Sequence, residues 1–203
     1  TTGDMTDSGA LAITGTTTLV TSANDATITL DVTTNAFTGA VTITTNDNSG
    51  TDADVTIDGG TTALVIAAST IDGDLTLRSG HALGITDSGT VTVGGNLAAT
   101  TDANDGEISL GTLAVDGTIA LTTNGNGAAL VVNDAGLNFA ASTVGGALTA
   151  TATTGNITQS GALAITGVTT LAADSSNNIT LNNASNNFQG AVRITSGNNV
   201  TLV

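Results

Sequence analysis

The sequence predicts an all-β fold, a right-handed parallel β-helix (β-solenoid) with three short strands per coil and about 21–28 residues per coil. Three observations predict it. A long segment of the chain repeats, pairs of aliphatic residues separated by one residue recur throughout, and glycine, asparagine, aspartate and serine lie between those pairs. Alternation at period two is typical of a half-buried strand, and the intervening residues favour turns.

The long repeat has a period of about 152 residues. Phe37 is matched by Phe188 at an offset of 151, so one residue was lost in a loop, where deletions are tolerated. Residues 1–152 therefore form one unit and residues 153–203 begin the next, within a single continuous solenoid segment (residues 1–203) that we expect to belong to a larger repetitive protein. The clearest repeated stretch is Ser8-Gly9-Ala10-Leu11-Ala12-Ile13-Thr14-Gly15, which returns as Ser160-Gly161-Ala162-Leu163-Ala164-Ile165-Thr166-Gly167.

The short period sets the coils. Grouping the aliphatic pairs three to a coil predicts six coils in the 152-residue unit. The predicted coil starts are Met5, Ile28, Val55, Leu83, Ile108, Leu130, Ile157, Ile179 and Val200.

Strands this short favour a solenoid over a sandwich, because each one pairs with its equivalents in the coils on either side and like residues stack in columns. The interior must be aliphatic, since the chain has three Phe and no Trp or Tyr. Right-handed winding follows from the preference of parallel crossovers. Residues 200–203 read as mid-strand, so we expect the chain to continue or to stack on a neighbour.

Composition excludes several classes of function. Two Arg, no Lys and seventeen acidic residues give a net charge of −15, which opposes binding to nucleic acid or to anionic membranes. The chain has no Cys and no apolar run of transmembrane length. We therefore expect no nucleic-acid partner, no membrane insertion and no thiol chemistry.

The unit from Ser8 to Val41 resembles the repeats of filamentous-haemagglutinin-like and autotransporter-type bacterial surface adhesins. The residues that carry the resemblance are 9–15 and 35–41, Gly-Ala-Leu-Ala-Ile-Thr-Gly and Asn-Ala-Phe-Thr-Gly-Ala-Val. The resemblance implies a secreted protein on the bacterial surface, a long β-helical stalk, and roles in adhesion, aggregation or biofilm. It assigns no functional residue within this segment.

Two carboxylate patterns suggest chemistry. Asp7-Ser8-Gly9 and Asp87-Ser88-Gly89 imitate the aspartic-protease signature, but Gln159 replaces Asp7 in the second copy of the repeat, which favours turns. The aspartates at positions 52, 54, 58, 72 and 74 have spacings that could suit calcium. The glycine-rich calcium-binding nonapeptide of β-rolls is absent, which favours aspartates in solvated turns.

A polysaccharide lyase would need a basic groove beside clustered carboxylates. The bases are Arg78, His81 and Arg193, and Arg78 and His81 lie close in sequence to Asp72 and Asp74. A general base is conceivable there, but two arginines cannot make an electropositive groove. An ice-binding face is disfavoured as well: Thr42-Ile43-Thr44 fits a Thr-x-Thr pattern only locally, and the predicted outward column is broken at Gly84 and Val131.

Several asparagines fit a structural role. Asn156, Asn178, Asn183 and Asn199 satisfy the glycosylation sequon, but in a chain rich in Asn and Thr we favour turns or ladders in which Asn stacks on Asn of the next coil. Asn35 and Asn186, each two residues before a Phe, are the best candidates for such ladders or turns.

The sequence thus predicts a non-enzymatic protein, with no catalytic, cofactor-binding or metal-binding residue assigned and no cofactor. The first hypothesis is a stalk or spacer of a giant extracellular bacterial surface protein. The alternative is a self-assembling subunit of an extracellular filament, sheath or surface layer. Two less favoured hypotheses are a calcium- or glycan-binding module and a polysaccharide lyase. The predicted partners are neighbouring coils, further copies of the protein, and a host or bacterial surface.

Overall fold

The computed structural model describes residues 1–46 and 52–203, and within these residues the chain is all β, with no helix. No described segment is a helix that is long and apolar enough to cross a membrane. The strands are β1 (Met5–Thr6), β2 (Ala12–Ile13), β3 (Thr17–Val20), β4 (Ile28–Leu30), β5 (Ala36–Phe37), β6 (Val41–Thr44), β7 (Val55–Asp58), β8 (Leu64–Ile66), β9 (Ser69–Ile71), β10 (Leu75–Ser79), β11 (Ile85–Asp87), β12 (Val91–Val93), β13 (Leu97–Asn104), β14 (Ile108–Val115), β15 (Thr118–Asn124), β16 (Ala129–Asn133), β17 (Leu137–Phe139), β18 (Ser142–Val144), β19 (Leu148–Ala152), β20 (Ile157–Gln159), β21 (Leu163–Ile165), β22 (Thr169–Ala173), β23 (Ile179–Leu181), β24 (Asn187–Phe188), β25 (Val192–Ser196) and β26 (Val200–Leu202).

These strands stack into a parallel β-solenoid of about nine turns with about 22 residues per coil, which confirms the predicted fold class. One 13-stranded sheet contains the first strand of every coil, in the order β1-β4-β7-β10-β13-β15-β17-β20-β23-β26, with β18, β21 and β24 joined at its side. An 11-stranded sheet contains most of the remaining strands, and β2 pairs with β5 alone. Every pairing between two described strands is parallel (for example β4 with β7 and β7 with β10).

The core is a set of aliphatic columns that run along the solenoid axis. Ile28 lies directly over Val55, and Val55 lies over Leu75. Each of the three is at most 1% exposed, as the predicted stacking of like residues requires. Because short strands bury little on their own, this contact between coils is what stabilises each strand.

The predicted number of coils is wrong: the 152-residue unit contains seven coils rather than six. The predicted starts at Leu83, Ile108 and Leu130 are incorrect, because the third coil takes only residues 55–74 and the fourth already begins at Leu75. β8 and β9 are separated by two residues, so three strands fit into this short coil. The observed starts are Met5, Ile28, Val55, Leu75, Leu97, Ile119, Leu137, Ile157, Ile179 and Val200.

The residues at the wrongly predicted starts point outward or pair in another column. Leu83 lies in a turn and is 67% exposed, and Ile108 pairs with Ile85 in the 11-stranded sheet. In β16 the buried residues are Ala129, Val131 and Asn133, so Leu130 faces outward, contrary to its predicted burial. Apolar residues occupy both the inward-facing and the outward-facing positions of this strand, so alternation alone could not show which of the two sets is buried.

The fifth and sixth coils differ from the three-strand pattern. Each has two longer strands, β13 with β14 and β15 with β16, where the other coils have three. The pairing then shifts at the seventh coil: Ile119 pairs with Phe139, whereas Leu137 pairs with Ile157. The bulky Phe139 is fully buried at this shift.

Two buried hydroxyls interrupt the apolar interior at equivalent positions of the repeat. Thr169 lies in an inward column between Leu148 and Val192, and Thr17 lies over Val41. Neither Oγ1 has a hydrogen-bond partner among the described residues. A buried polar group without a partner costs free energy.

We predict that Thr169→Val raises the free energy of unfolding by about 1–3 kcal/mol, because valine has the same shape and removes the unpaired hydroxyl. Urea unfolding followed by circular dichroism measures the change. Thr170→Val, at the outward-facing neighbour, is the control and should change stability by less than about 0.5 kcal/mol. A Thr169→Val protein less stable than the parent would show that the hydroxyl is bonded.

Candidate functional site

The first concentration of polar side chains lies at the corner just before the first strand of each coil. Here a side-chain oxygen of one coil accepts a hydrogen bond from the backbone N–H of the equivalent residue in the next. Asp54 Oδ1 accepts from Asp74 N at 2.8 Å, and Asp74 Oδ1 accepts from Asn96 N at 2.6 Å. Asn96 Oδ1 continues the series by accepting from Thr118 N at 2.8 Å. We call this the corner ladder.

The corner ladder resumes in the second copy of the repeat. Asn156 Oδ1 accepts from Asn178 N at 2.7 Å, and Asn178 Oδ1 accepts from Asn199 N at 3.1 Å. Three of the four sequon asparagines are therefore ladder members, as the preferred interpretation of the sequence predicted. The fourth, Asn183, accepts from Ser185 N at 2.9 Å and closes a local turn. Asn and Asp suit these positions because their short side chains can bond backbone N–H groups that strand pairing leaves free.

A second polar cluster lies inside the first coils and repeats one unit later. Asn35 is fully buried; its Nδ2 donates to Asp7 Oδ2 at 2.7 Å, and its Oδ1 accepts from Leu11 N at 2.8 Å. In the second copy, Asn186 Nδ2 donates to Gln159 Oε1 at 2.9 Å. Gln159 preserves the acceptor that Asp7 provides, which explains how the repeat tolerates this exchange. The prediction that Asn35 and Asn186 occupy ladders or turns is confirmed.

The aspartic-protease arrangement is not formed. Asp7 lies in the first coil and is bonded to Asn35. Asp87 lies at the end of β11 in the fourth coil, where it accepts bonds from Gly111 N and Thr112 N at 3.0 and 2.6 Å. Two carboxylates held in different coils by different donors cannot share one proton.

Further buried polar residues were not anticipated from the sequence. Asn133 is fully buried: its Oδ1 accepts from Val115 N at 2.8 Å, and its Nδ2 donates to Val115 O at 3.0 Å. Ser69 and Ser142 similarly accept from the backbone N–H groups of Ile43 and Leu121. The only signal in the sequence is a polar residue in a position where the alternation predicts an aliphatic one.

Arg78 forms the ion pairs of the described chain. Its guanidinium donates to both carboxylate oxygens of Asp102, with Nη2 3.1 Å from Oδ1, and its Nε lies 3.9 Å from Asp58 Oδ2. The three residues come from three successive coils, so the ion pairs tie these coils together. The hydrogen bond that Arg78 donates to Asp102 raises the pKa of Arg78. Burial raises the pKa of Asp58, while the bond from Gly60 N and the charge of Arg78 act in the opposite direction.

The lyase and calcium arrangements are not assembled either. The carboxylate partners of Arg78 are Asp58 and Asp102 rather than the Asp72 and Asp74 of the sequence hypothesis. His81 Nδ1 accepts from Leu83 N at 3.0 Å within a turn. Among residues 1–46 and 52–203, no three His, Cys, Asp or Glu side chains are grouped so that they could hold a metal ion.

The outward threonines form a short rank. Thr6, Thr29, Thr56 and Thr76 stack in one column of the 13-stranded sheet. Beyond the fourth coil this column contains Ala98 and Ala120. The predicted outward column is therefore incorrect at Gly84, Ser109 and Val131. Its last members, Thr158, Thr180 and Thr201, do lie on the paired first strands of the last three coils. The conclusion that the rank is interrupted is unchanged.

Surface depressions on the described part are small. One of about 330 Å³ lies where the strand pairing shifts, beside Gly117, Gly136 and Leu137. Another, of about 240 Å³, is lined by Thr38, Thr61, Thr62, Ala63 and His81. The first is also lined by the carboxylate of Asp116, and His81 is the one titratable group among the described residues that line the second.

The fold and its ladders together define a β-solenoid repeat protein. The chain belongs to the family described as "Repeats of unknown function (DUF5649)", whose model matches residues 1–44, 52–110 and 127–195. No curated protein and no solved structure matches the chain. The family description concerns repeats alone, so the resemblance to adhesins remains a prediction.

We predict that Asn35→Ala lowers the free energy of unfolding by about 3 kcal/mol, because it leaves the Leu11 N–H and the Asp7 carboxylate without their buried partner. Asn186→Ala should cost less, since Asn186 is only half-buried and water can replace part of its bonding. Urea unfolding measures both, with the exposed Asn182→Ala as control. Equal effects for Asn35→Ala and Asn182→Ala would contradict the assigned role of Asn35.

Proposed function

We propose that this chain is a stalk or spacer segment of a giant secreted bacterial surface protein that supports adhesion, aggregation or biofilm formation. On this proposal the protein acts outside the cell, its role is mechanical, and it performs no catalysis. Its length holds another part of the protein away from the cell surface. The partners of each coil are the neighbouring coils.

The observation that carries the proposal is the boundary between the two repeat units. Coil seven passes into coil eight, the equivalent of coil one, with its strands in register: Leu137 pairs with Ile157, and Ser142 with Leu163. Thr153 N donates to Asn133 O at 3.0 Å across the boundary. Successive units therefore join without a linker, and a rod lengthens in proportion to the number of units.

The polar side chains support the same proposal. The asparagines, aspartates and serines described above form hydrogen bonds to backbone groups of adjacent coils. Hydrogen bonds between coils stiffen a rod. The net charge of −15 keeps an elongated β-structure soluble and discourages contact between rods. A spacer needs both properties.

The test varies the number of units. One, two or three tandem copies of residues 1–152 are fused to the N-terminal end of residues 153–203, and the fusion joins an outer-membrane anchor to a tag at the tip. With seven coils per unit and a spacing of about 4.8 Å between strands, the tag should rise by about 34 Å for each added unit. Fluorescence interference microscopy on cells measures the height of the tag.

The matched control replaces the added units with glycine–serine linkers of equal residue number, whose height should grow only as the square root of length. Tip height that is independent of the number of units would refute the spacer. The alternative, a self-assembling filament subunit, predicts instead that the purified one-unit chain polymerises as its concentration rises, which sedimentation velocity detects.

A further inference from the structure

Two Asn-Gly pairs follow one another where β15 ends and the chain turns toward β16, Asn124-Gly125 and Asn126-Gly127. An asparagine loses its side-chain amide most readily when glycine follows it. Glycine has no side chain to hinder attack of its backbone nitrogen on the side-chain carbonyl of the preceding asparagine. Asparagine is among the thermolabile residues for this reason. The surroundings of the two pairs differ sharply.

The first pair is arranged for this reaction. Gly125 N donates to Oδ1 of Asn124 at 2.8 Å, so the backbone nitrogen lies beside the side-chain carbonyl group that it would attack. Asn124 Nδ2 donates to Asp102 O at 3.0 Å, which holds the amide in this orientation. Both Asn124 and Gly125 are exposed, so water and base reach the nitrogen. Holding reacting groups in contact raises their rate of reaction.

The second pair is protected by the same turn. Gly127 N donates to the backbone oxygen of Asn124 at 3.1 Å, and Gly127 is buried. Asn126 is held separately, with its backbone N–H donating to Asp105 Oδ1 at 2.6 Å. Attack on Asn126 therefore requires that the bond from Gly127 to Asn124 first be broken.

We propose that Asn124 is a site of spontaneous deamidation, which converts it to aspartate and isoaspartate in the folded protein. The Gly125 nitrogen bonds to Cγ of Asn124, the Cγ–Nδ2 bond breaks, and ammonia leaves with the proton from the Gly125 nitrogen. Water then opens the cyclic imide. Breaking the bond between Cγ and nitrogen gives aspartate, and breaking the bond between the main-chain carbonyl carbon and nitrogen gives isoaspartate. The net reaction consumes one water and involves no oxidation or reduction.

The product alters the corner between the fifth and sixth coils. The new carboxylate loses the donor that bonded Asp102 O, and it lies close to Asp105 in the corresponding turn of the preceding coil. Isoaspartate also lengthens the backbone beside the carbonyl that accepts from Asp105 N at 3.0 Å. Deamidation therefore adds negative charge and loosens one contact between coils, so the chain changes with age at a defined position.

Incubating the purified chain in mildly alkaline buffer tests the proposal. Aliquots are digested with an acidic-residue-specific protease, and mass spectrometry follows each asparagine, while isoaspartyl methyltransferase labels isoaspartate. In the folded chain Asn124 should convert about tenfold faster than Asn126. A difference of about this size is expected because the backbone hydrogen bond of Gly127 must break before Asn126 can react. In urea the two rates should become similar.

Asn124→Gln is the matched variant, since glutamine would need a larger, slower-forming ring. It should abolish the product at position 124 and leave the rate at Asn126 unchanged. Equal rates at Asn124 and Asn126 in the folded chain, or faster conversion of Asn126, would overturn the proposal. So would slower conversion of Asn124 in the folded chain than in urea.

Discussion

The constraint on which the structure depends is that each coil satisfies its backbone hydrogen bonds through the coils on either side of it. Strands such as β1 and β24 contain two residues and could not exist alone. Paired in parallel with equivalent strands, the short strands form sheets that run the length of the chain. The same in-register pairing stacks Ile28, Val55 and Leu75, so burial of apolar side chains and bonding of the backbone reinforce one another.

At the corners the backbone hydrogen bonds are also satisfied by the adjacent coil, but there the acceptors are side chains rather than strands. Where the chain turns and its N–H groups leave the sheet, Asp74 and Asn178 supply the missing acceptors from the adjacent coil. Asn133 performs this role inside the core. Polar residues that would suggest a catalytic or metal site in another fold are thus used here to hold one coil to the next.

The sequence predicts the fold class, the long repeat, and the first three and last three coil starts, because these depend on local alternation and on direct similarity. The sequence misplaces the coil starts from Leu75 to Leu137. In this region the coils become shorter, and two of them have two long strands instead of three short ones. Alternation identifies the inward-facing residues of a strand only when the outward-facing residues are polar, and in β16 the outward-facing residues are apolar. The repeat itself identified Asn35 and Asn186, whereas Asn133 lies outside the part of the unit that residues 153–203 repeat.

The register of the coils is the central claim, and disulfide formation tests it most directly, since the chain has no native cysteine. Cysteine pairs at Thr29 with Thr56 and at Thr56 with Thr76 join neighbouring coils and should cross-link within one molecule under mild oxidation. The pair at Thr29 with Thr76 spans two coils, about 10 Å, and should stay reduced. A cross-link between Thr29 and Thr76 together with none between Thr56 and Thr76 would contradict the stacking described.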